Sequence, residues 1–349
     1  MSEPRSARRL VSPAAQADDS QFEASLRPRR LAEFTGQAKV KEILSIAIED
    51  AKQRGEAMDH VLLIGPPGLG KTTLANIIAQ ELGAHFDLTS GPMLQKKVDL
   101  TGILSALKSR QVFFIDEIHR LMPDVEEVLY SALEDFRVDI VIGQGPGART
   151  HSLPMQAFTA VGATTRQGLL SAPLRGRFGL VLYLKHYGVE DMTRIVTRAA
   201  RIIGATLDED AAAKTARPPR GPLRIANRLL RRVRDYAQVR ATGHITLEAA
   251  RTALDLLDVD PWGLDEIDQK IMLTILEKYG GGPVGLNTVA ASTDEDPDTI
   301  EEIYEPYLMQ LGFLDRTPRG RMATDRAFEY FKVERKRPGG LQPPLFQPE

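Results

Sequence analysis

His60-Val-Leu-Leu-Ile-Gly65-Pro-Pro-Gly-Leu-Gly70-Lys71-Thr72-Thr73-Leu-Ala-Asn-Ile-Ile-Ala-Gln-Glu-Leu82 is the stretch that decides the fold. A short apolar run rich in branched residues leads into G-x-x-x-x-G-K-[ST], and a segment with helical apolar spacing follows without a gap. This order predicts a strand, a phosphate-binding loop and a helix. The glycines, Gly68 and Gly70 among them, let backbone N–H groups curl around phosphate oxygens at a helix N-terminus. Lys71 is placed to reach the β and γ phosphates, and the Thr72 hydroxyl to ligate Mg²⁺.

Working outward, a second apolar run, Val112-Phe-Phe-Ile115, ends in Asp116-Glu117-Ile-His119. In a phosphate-loop fold the neighbouring strand brings an Asp to the metal and, in hydrolases, a Glu to the attacking water, and Asp116 and Glu117 fit those two roles. A third run, 158–163, ends in Thr164-Thr165-Arg166, where the Thr164 hydroxyl is either a strand-end cap or a sensor of the γ-phosphate. Pro173-Leu-Arg175-Gly-Arg177 then sets two arginines in a glycine-containing loop, suited either to solvent or to phosphate oxygens supplied by a neighbouring subunit. Further on, 224–237 has helical spacing, with Ile225, Leu229, Val233 and Ala237 on one face and Arg224, Arg228, Arg231 and Arg232 on another.

The chain has 349 residues, 45 Lys plus Arg against 47 Asp plus Glu, and 42% hydrophobic residues. Cores stop growing near about 250–300 residues, so this length predicts more than one domain. The alternation of strand and helix patterns assigns 21–187 to a large α/β domain, a parallel sheet covered by helices. The purely helical spacing of 188–260 assigns it to a small helical domain. Helices followed by a hairpin at 312–324 make 261–335 a winged helix. Residues 1–20 and 336–349 read as disordered tails. The absence of cysteine excludes thiolate metal sites and thiol nucleophiles, and six scattered histidines show no ligand spacing. No apolar run approaches the ~20 residues of a membrane helix, and no secretory leader is evident, so the expected compartment is the cytoplasm, with no membrane partner.

The constellation resembles the AAA+ class and, within it, the RuvB family of Holliday-junction branch-migration ATPases. The resembling segments are LRPRRLAEFTGQ (26–37), the phosphate-loop stretch, FFIDEIHRL (113–121), VEEVLYSALEDF (125–136) and GATTRQGLLSAPLRGRFG (162–179). They continue through RIANRLLRRVRDYA (224–237), GLDEIDQKI (263–271), GGGPVGLNTVAAS (280–292) and EPYLMQLGFLDRTPRGRMAT (305–324). The resemblance implies an AAA+ ATPase domain, a small helical lid and a winged-helix head. ATP and Mg²⁺ would be the ligands. Leu26, Arg27 and Tyr187 would frame the nucleotide, and Gly68, Lys71, Thr72 and Thr73 would hold its phosphates. Glu134, Asp135 and Phe136 match a further nucleotide-side segment. Arg177 would be an arginine finger acting on the neighbouring subunit, Arg224 a second sensor and Thr164 the first. Arg316 and Arg321 match the family's DNA-contacting pair. Residues 139–154 occupy the place of the hairpin that binds RuvA.

The implied activity is an ATP-dependent DNA translocase driving branch migration in recombination and in repair of DNA damage, as a homo-hexameric ring on duplex DNA with RuvA, and with RuvC in the wider complex. A clamp-loader-like or protein-remodelling ATPase shares the loop and finger, and a nucleotide-switched initiator shares the winged helix. This chain departs from the family pattern at Lys97-Val98, which replaces a glycine-containing turn, at Pro222-Leu223, and over 149–158, which lacks β-rich alternation. The near-neutral total also hides a separation of charge: residues 265–315 hold 2 basic and 12 acidic side chains, and 316–337 hold 8 basic and 3 acidic. DNA contact is therefore expected to be confined to a small basic wing.

Overall fold

The computed structural model of the chain describes residues 23–142, 149–216, 223–257, 262, 264 and 266–335. The tails expected at 1–20 and 336–349, and Pro222, lie outside the described residues. So does the side chain of Arg224. These residues divide into two compact units. One runs to Ala205 and includes 223–227; the other takes up the chain from Thr206 and again from Arg228. The helix Val189–Ile202 therefore groups with the sheet, although its sequence pattern belongs with the helical segment that follows.

The first unit is built on a five-stranded, wholly parallel sheet: β1 (Val61–Ile64), β2 (Phe86–Ser90), β3 (Val112–Asp116), β6 (Thr159–Thr164) and β7 (Leu180–Tyr183), in the order β2-β3-β6-β1-β7. The three central strands are the apolar runs read from the sequence. Each is buried on both faces, as a parallel sheet between helices requires. Phe113, Phe114 and Phe158 are fully buried, each contributing about 1.5–3 kcal/mol of transfer free energy. Of the flanking strands, β2 (FDLTS) has no such run and β7 (LVLY) does, and both are only partly buried.

A parallel sheet sends the carboxyl ends of all its strands to one edge. The residues after β1, β3, β6 and β7 therefore collect there, namely the phosphate loop, Glu117, Thr165 and Tyr187. The residues before those strands, including His60, Phe158 and the loop bearing Arg177, collect at the opposite edge, where Leu180 donates its N–H to the His60 carbonyl. With about 3.3 Å of rise per residue, the four residues of β1 separate the two edges by about 13 Å.

Outside this sheet, β4 (Arg137–Ile142) and β5 (Arg149–Pro154) pair antiparallel from Arg137↔Pro154 to Ile142↔Arg149. A hairpin thus forms despite the weak alternation of the second strand. Arg137, buried Val138 and Asp139 alternate on the first strand and fix its face, whereas 151–154 carry exposed side chains. At Lys97-Val98, the first of the departures from the family pattern, Lys97 starts the helix Lys97–Ala106. The Asp99 carboxylate accepts the Lys96 N–H at 2.9 Å, so an acidic cap does the work of a glycine turn.

In the second unit, Leu207 and Ile245 form an isolated bridge, and Glu209–Thr215 and Leu247–Asp255 are short helices. The long helix Leu223–Arg240 buries Leu229, Val233 and Ala237, as its spacing predicts. Arg228, expected on the exposed basic face, is instead 6% exposed. The C-terminal part has the helices Glu266–Leu273, Leu286–Thr293, Glu305–Gln310 and Asp325–Phe331 around the hairpin of β8 (Leu314–Thr317) and β9 (Gly320–Ala323). Their shared core includes Ile271, Ile275, Leu308, Phe313 and Phe328. A Cβ at Gly320 would lie 2.4 Å from the Val284 carbonyl oxygen, so only glycine lets the wing close against Val284.

Candidate nucleotide site and basic wing

At the carboxyl edge of the sheet the loop after β1 turns into the helix Lys71–Leu82 through Gly70, whose φ of 90° a side chain would resist. Lys71 is buried, and its Nζ donates to the carbonyls of Gly65 at 2.7 Å and Pro66 at 2.9 Å, an arrangement that points the ammonium along the loop. The Thr72 hydroxyl donates to Asp116 Oδ2 at 3.3 Å, placing two oxygen donors side by side. Thr73 follows in the first turn of the same helix.

Asp116 also accepts the Glu117 N–H through Oδ1 at 3.0 Å, and this bond helps swing Glu117 into the left-handed region, φ 48° and ψ 43°. For a non-glycine residue that conformation costs about 1–3 kcal/mol and is held by its surroundings. Gly91 is one of them: a Cβ there would lie 2.5 Å from the Glu117 carbonyl oxygen. The Glu117 carboxylate is met by Arg120 Nη1 at 3.3 Å.

The two threonines at the end of β6 differ. Thr164 is buried, its Oγ1 lies 3.0 Å from His119 Nδ1, and it accepts the Arg166 N–H at 3.0 Å. Burial first, and then the nearby Arg166 and Arg120 charges, hold the His119 pKa below the usual histidine value. The Thr165 hydroxyl is buried with no hydrogen-bond partner among the described residues. The Thr164 hydroxyl, to which the sequence had pointed, is thus engaged by protein groups, and the Thr165 hydroxyl beside it is not.

Tyr187 is buried after β7, and its hydroxyl donates to the Leu69 carbonyl at 2.9 Å; desolvation raises its pKa. Leu26 is also buried, with its carbonyl accepting Arg198 Nη1 at 2.8 Å, and Arg27 beside it is exposed. Leu223, next to Arg224 at the start of its helix, donates its N–H to the Gly68 carbonyl at 3.1 Å. Backbone thus brings position 224 to the loop.

Arg177 is not part of this cluster. It belongs to the opposite edge, where its Nη2 donates to Glu134 Oε2 at 2.8 Å and its Nη1 to the Pro173 carbonyl at 2.7 Å. The neighbouring Asp135 pairs with Arg137 at 3.2 Å, and Phe136 packs edge-on against His60 and Phe158. Glu134, Asp135, Phe136 and Arg177 therefore form a second group, whose contacts named here are with one another, Pro173, Arg137, His60 and Phe158.

In the wing, Arg316 and Arg321 are register partners. Arg316 is exposed and pairs with Glu301 at 2.7 Å. Arg321 is only 11% exposed and is bound to Glu305, itself 2% exposed, through Nε at 2.5 Å and Nη2 at 3.2 Å. The expected pair of DNA contacts is thus one exposed arginine and one that is nearly buried.

The chain matches the family profiles described as Holliday junction DNA helicase RuvB P-loop domain over 26–184, RuvB AAA lid domain over 187–260 and RuvB C-terminal winged helix domain over 261–332. It is 70% identical to the Holliday junction branch migration complex subunit RuvB of Solibacter usitatus, covering 97% of this chain and 99% of the relative. The chain belongs to the RuvB family. A second relative of the same description, from Koribacter versatilis, is 63% identical over 93% of this chain and 91% of its own length. The solved Thermotoga maritima RuvB Holliday junction branch migration motor superposes with a TM-score of 0.80 at 51% identity, covering 89% of this chain and 99% of that one. Among the described residues no helix is long and apolar enough to cross a membrane.

The donor set at the carboxyl edge fits a nucleotide and Mg²⁺. Thr72 and Asp116 offer hard oxygens, and the Thr165 hydroxyl is buried and uncommitted. No cluster of three or more His, Cys, Asp or Glu forms a separate metal cage among the described residues.

Proposed function

We propose that this chain is an ATP-driven motor of Holliday-junction branch migration, working as a homo-hexameric ring on duplex DNA with RuvA, with RuvC in the wider assembly and in the cytoplasm. The observation that carries this reading is similarity over 97% of the chain to a branch migration complex subunit, which takes in the phosphate loop, the loop bearing Arg177 and the wing together.

In this mechanism Leu26, Arg27 and Tyr187 frame the nucleotide, and the loop with Gly68, Gly70, Lys71, Thr72 and Thr73 holds its phosphates. Thr72 and Asp116 would hold Mg²⁺, which when bound neutralises phosphate charge. Glu117 orients the attacking water and accepts its proton, and the Thr165 hydroxyl donates toward the γ-phosphate. Arg177, about 13 Å of sheet away from its own loop, acts on the ATP of the next subunit, with Glu134, Asp135 and Phe136 lining the same boundary. Arg224, brought beside Gly68 by the Leu223 hydrogen bond, passes the state of the phosphates to the helical lid.

Arg316 contacts the DNA backbone, and Arg321 shapes the wing that presents it. Phosphate contacts carry no base information, which suits a motor that must cross any sequence. The hairpin region 139–154, a two-stranded sheet separate from the five-stranded one, offers the docking element for RuvA.

The test is branch migration on a reconstituted four-way junction with ATP, with and without RuvA. Separation of the junction into duplex products, stimulated by RuvA, is expected. Steady ATP turnover without any migration in either condition would overturn the reading in favour of a protein remodeller.

A further inference from the structure

On the helix Pro123–Asp135, Glu126, Tyr130 and Glu134 are spaced four apart and so share one face. That face meets the loop bearing Arg177. The Arg177 guanidinium carbon stands 4.4 Å from the centre of the Tyr130 ring, within the range at which an aromatic face attracts a cation. Its two terminal nitrogens are fixed by Glu134 and the Pro173 carbonyl, and its Nε is buried against this surface without an acceptor.

The ring is itself fixed. The Tyr130 hydroxyl donates to Glu126 Oε1 at 2.5 Å and lies 3.1 Å from Ser171 Oγ. Ser171 Oγ also bonds Glu126, and it accepts the Leu174 N–H at 3.1 Å, capping the short helix Ala172–Gly176 that leads into Arg177. One side chain thus supports the guanidinium from below and ties down the base of the loop that carries it.

We propose that Tyr130 is a positioning residue for the arginine finger, its ring a platform that holds the Arg177 guanidinium in the orientation it presents to the neighbouring subunit. This rests on the reading of Arg177 as a finger acting in trans. The advantage is entropic: arginine has many rotamers, and a finger already confined by a ring face and two acceptors loses less freedom when it meets a phosphate. The Glu134 and Pro173 bonds are made at the terminal nitrogens; the ring adds the contact under the guanidinium carbon.

The test uses full-length protein with junction DNA. Tyr130→Leu should lower kcat for ATP by about tenfold to a hundredfold, the range for a misplaced catalytic group, with KM unchanged because the subunit's own nucleotide pocket is untouched. Tyr130→Phe, which keeps the ring, should recover most of that loss.

Mixing decides whether the effect is exerted in trans. A Lys71→Ala subunit cannot use ATP but keeps a sound finger, so mixed with Tyr130→Leu it should give more turnover than the two proteins separately. Arg177→Ala mixed with Lys71→Ala is the control. If that control gains activity and the Tyr130→Leu mixture does not, the platform role is wrong and the finger reading stands. If neither mixture gains, both fall. Wild-type kcat in Tyr130→Leu also overturns the platform. Should the leucine variant fail to melt cooperatively, Tyr130→Met takes its place under the same criteria.

Discussion

Thr164 and Thr165 are neighbours at the end of β6, yet the Thr164 hydroxyl is held by His119 and the Arg166 N–H while the Thr165 hydroxyl is buried without a partner. Thr164 is the last residue of the strand and Thr165 the first beyond it, so the two side chains have different surroundings. Thr164→Val should cost about 1 kcal/mol of stability through the lost hydrogen bonds and leave turnover largely intact. Thr165→Val should leave stability nearly unchanged and lower kcat by about a hundredfold, the effect of deleting one aimed donor. Paired denaturation and ATPase measurements on the two variants check this, and the reverse pattern would return the sensor role to Thr164.

Glu117 is held in a left-handed conformation beside the Thr72 and Asp116 oxygens. Glu117→Gln keeps size and backbone but removes the basic carboxylate. ATP affinity should persist while kcat falls by about 10²–10⁴-fold. Nucleotide binding and single-turnover hydrolysis separate the two effects, and hydrolysis at the wild-type rate would refute the role of base.

The wing arginines should behave differently on substitution. Arg316→Ala should weaken duplex binding and reduce the slope of log K against log salt by about 1, with stability changed by no more than about 0.5 kcal/mol. Glu305→Ala, which strands the nearly buried Arg321, should destabilise the winged domain by about 3 kcal/mol. Equal loss of stability in both variants would show that Arg316 is structural too.

His60 supplies a pH test. Its Nε2 lies 3.0 Å from the Leu133 carbonyl, and its Nδ1 accepts the Ala160 N–H at 3.0 Å. Burial lowers its pKa below the ordinary 6.5. The unfolded chain therefore takes up this proton before the folded one does, and the contribution to stability, full above pH 6.5, is lost as pH falls below it. Denaturant titrations at pH 7.5 and 5.5 should show a loss for the wild type that is smaller in His60→Gln, in about the pH range where histidine titrates.

The phosphate loop was legible because its requirements are local: glycines, a lysine and a hydroxyl within eight residues, between a strand and a helix. Asp116 and Glu117 were legible for the same reason, standing directly after an apolar run. The strand β2 was not, since a half-buried flanking strand needs no continuous apolar sequence. The choice between Thr164 and Thr165 depends on His119, 45 residues away in the chain. The withdrawal of Arg321 depends on Glu305, and the burial of Arg228 on packing that one helix's periodicity does not contain. Local chemistry reads from the sequence; the pairing that commits or frees a polar group does not.

The placement of Arg177 at one edge of the sheet and the phosphate loop at the other makes the rate law of the protein as informative as any variant. If Arg177 serves the ATP of the next subunit, as proposed above, a lone subunit holds two half-sites that cannot meet, so ATP turnover per molecule should collapse on dilution and climb more steeply than first order as copies associate. Poisoning should be just as steep: a few finger-defective copies would silence sites belonging to intact neighbours, and the activity of a blended preparation would trace the arrangement of subunits around the assembly.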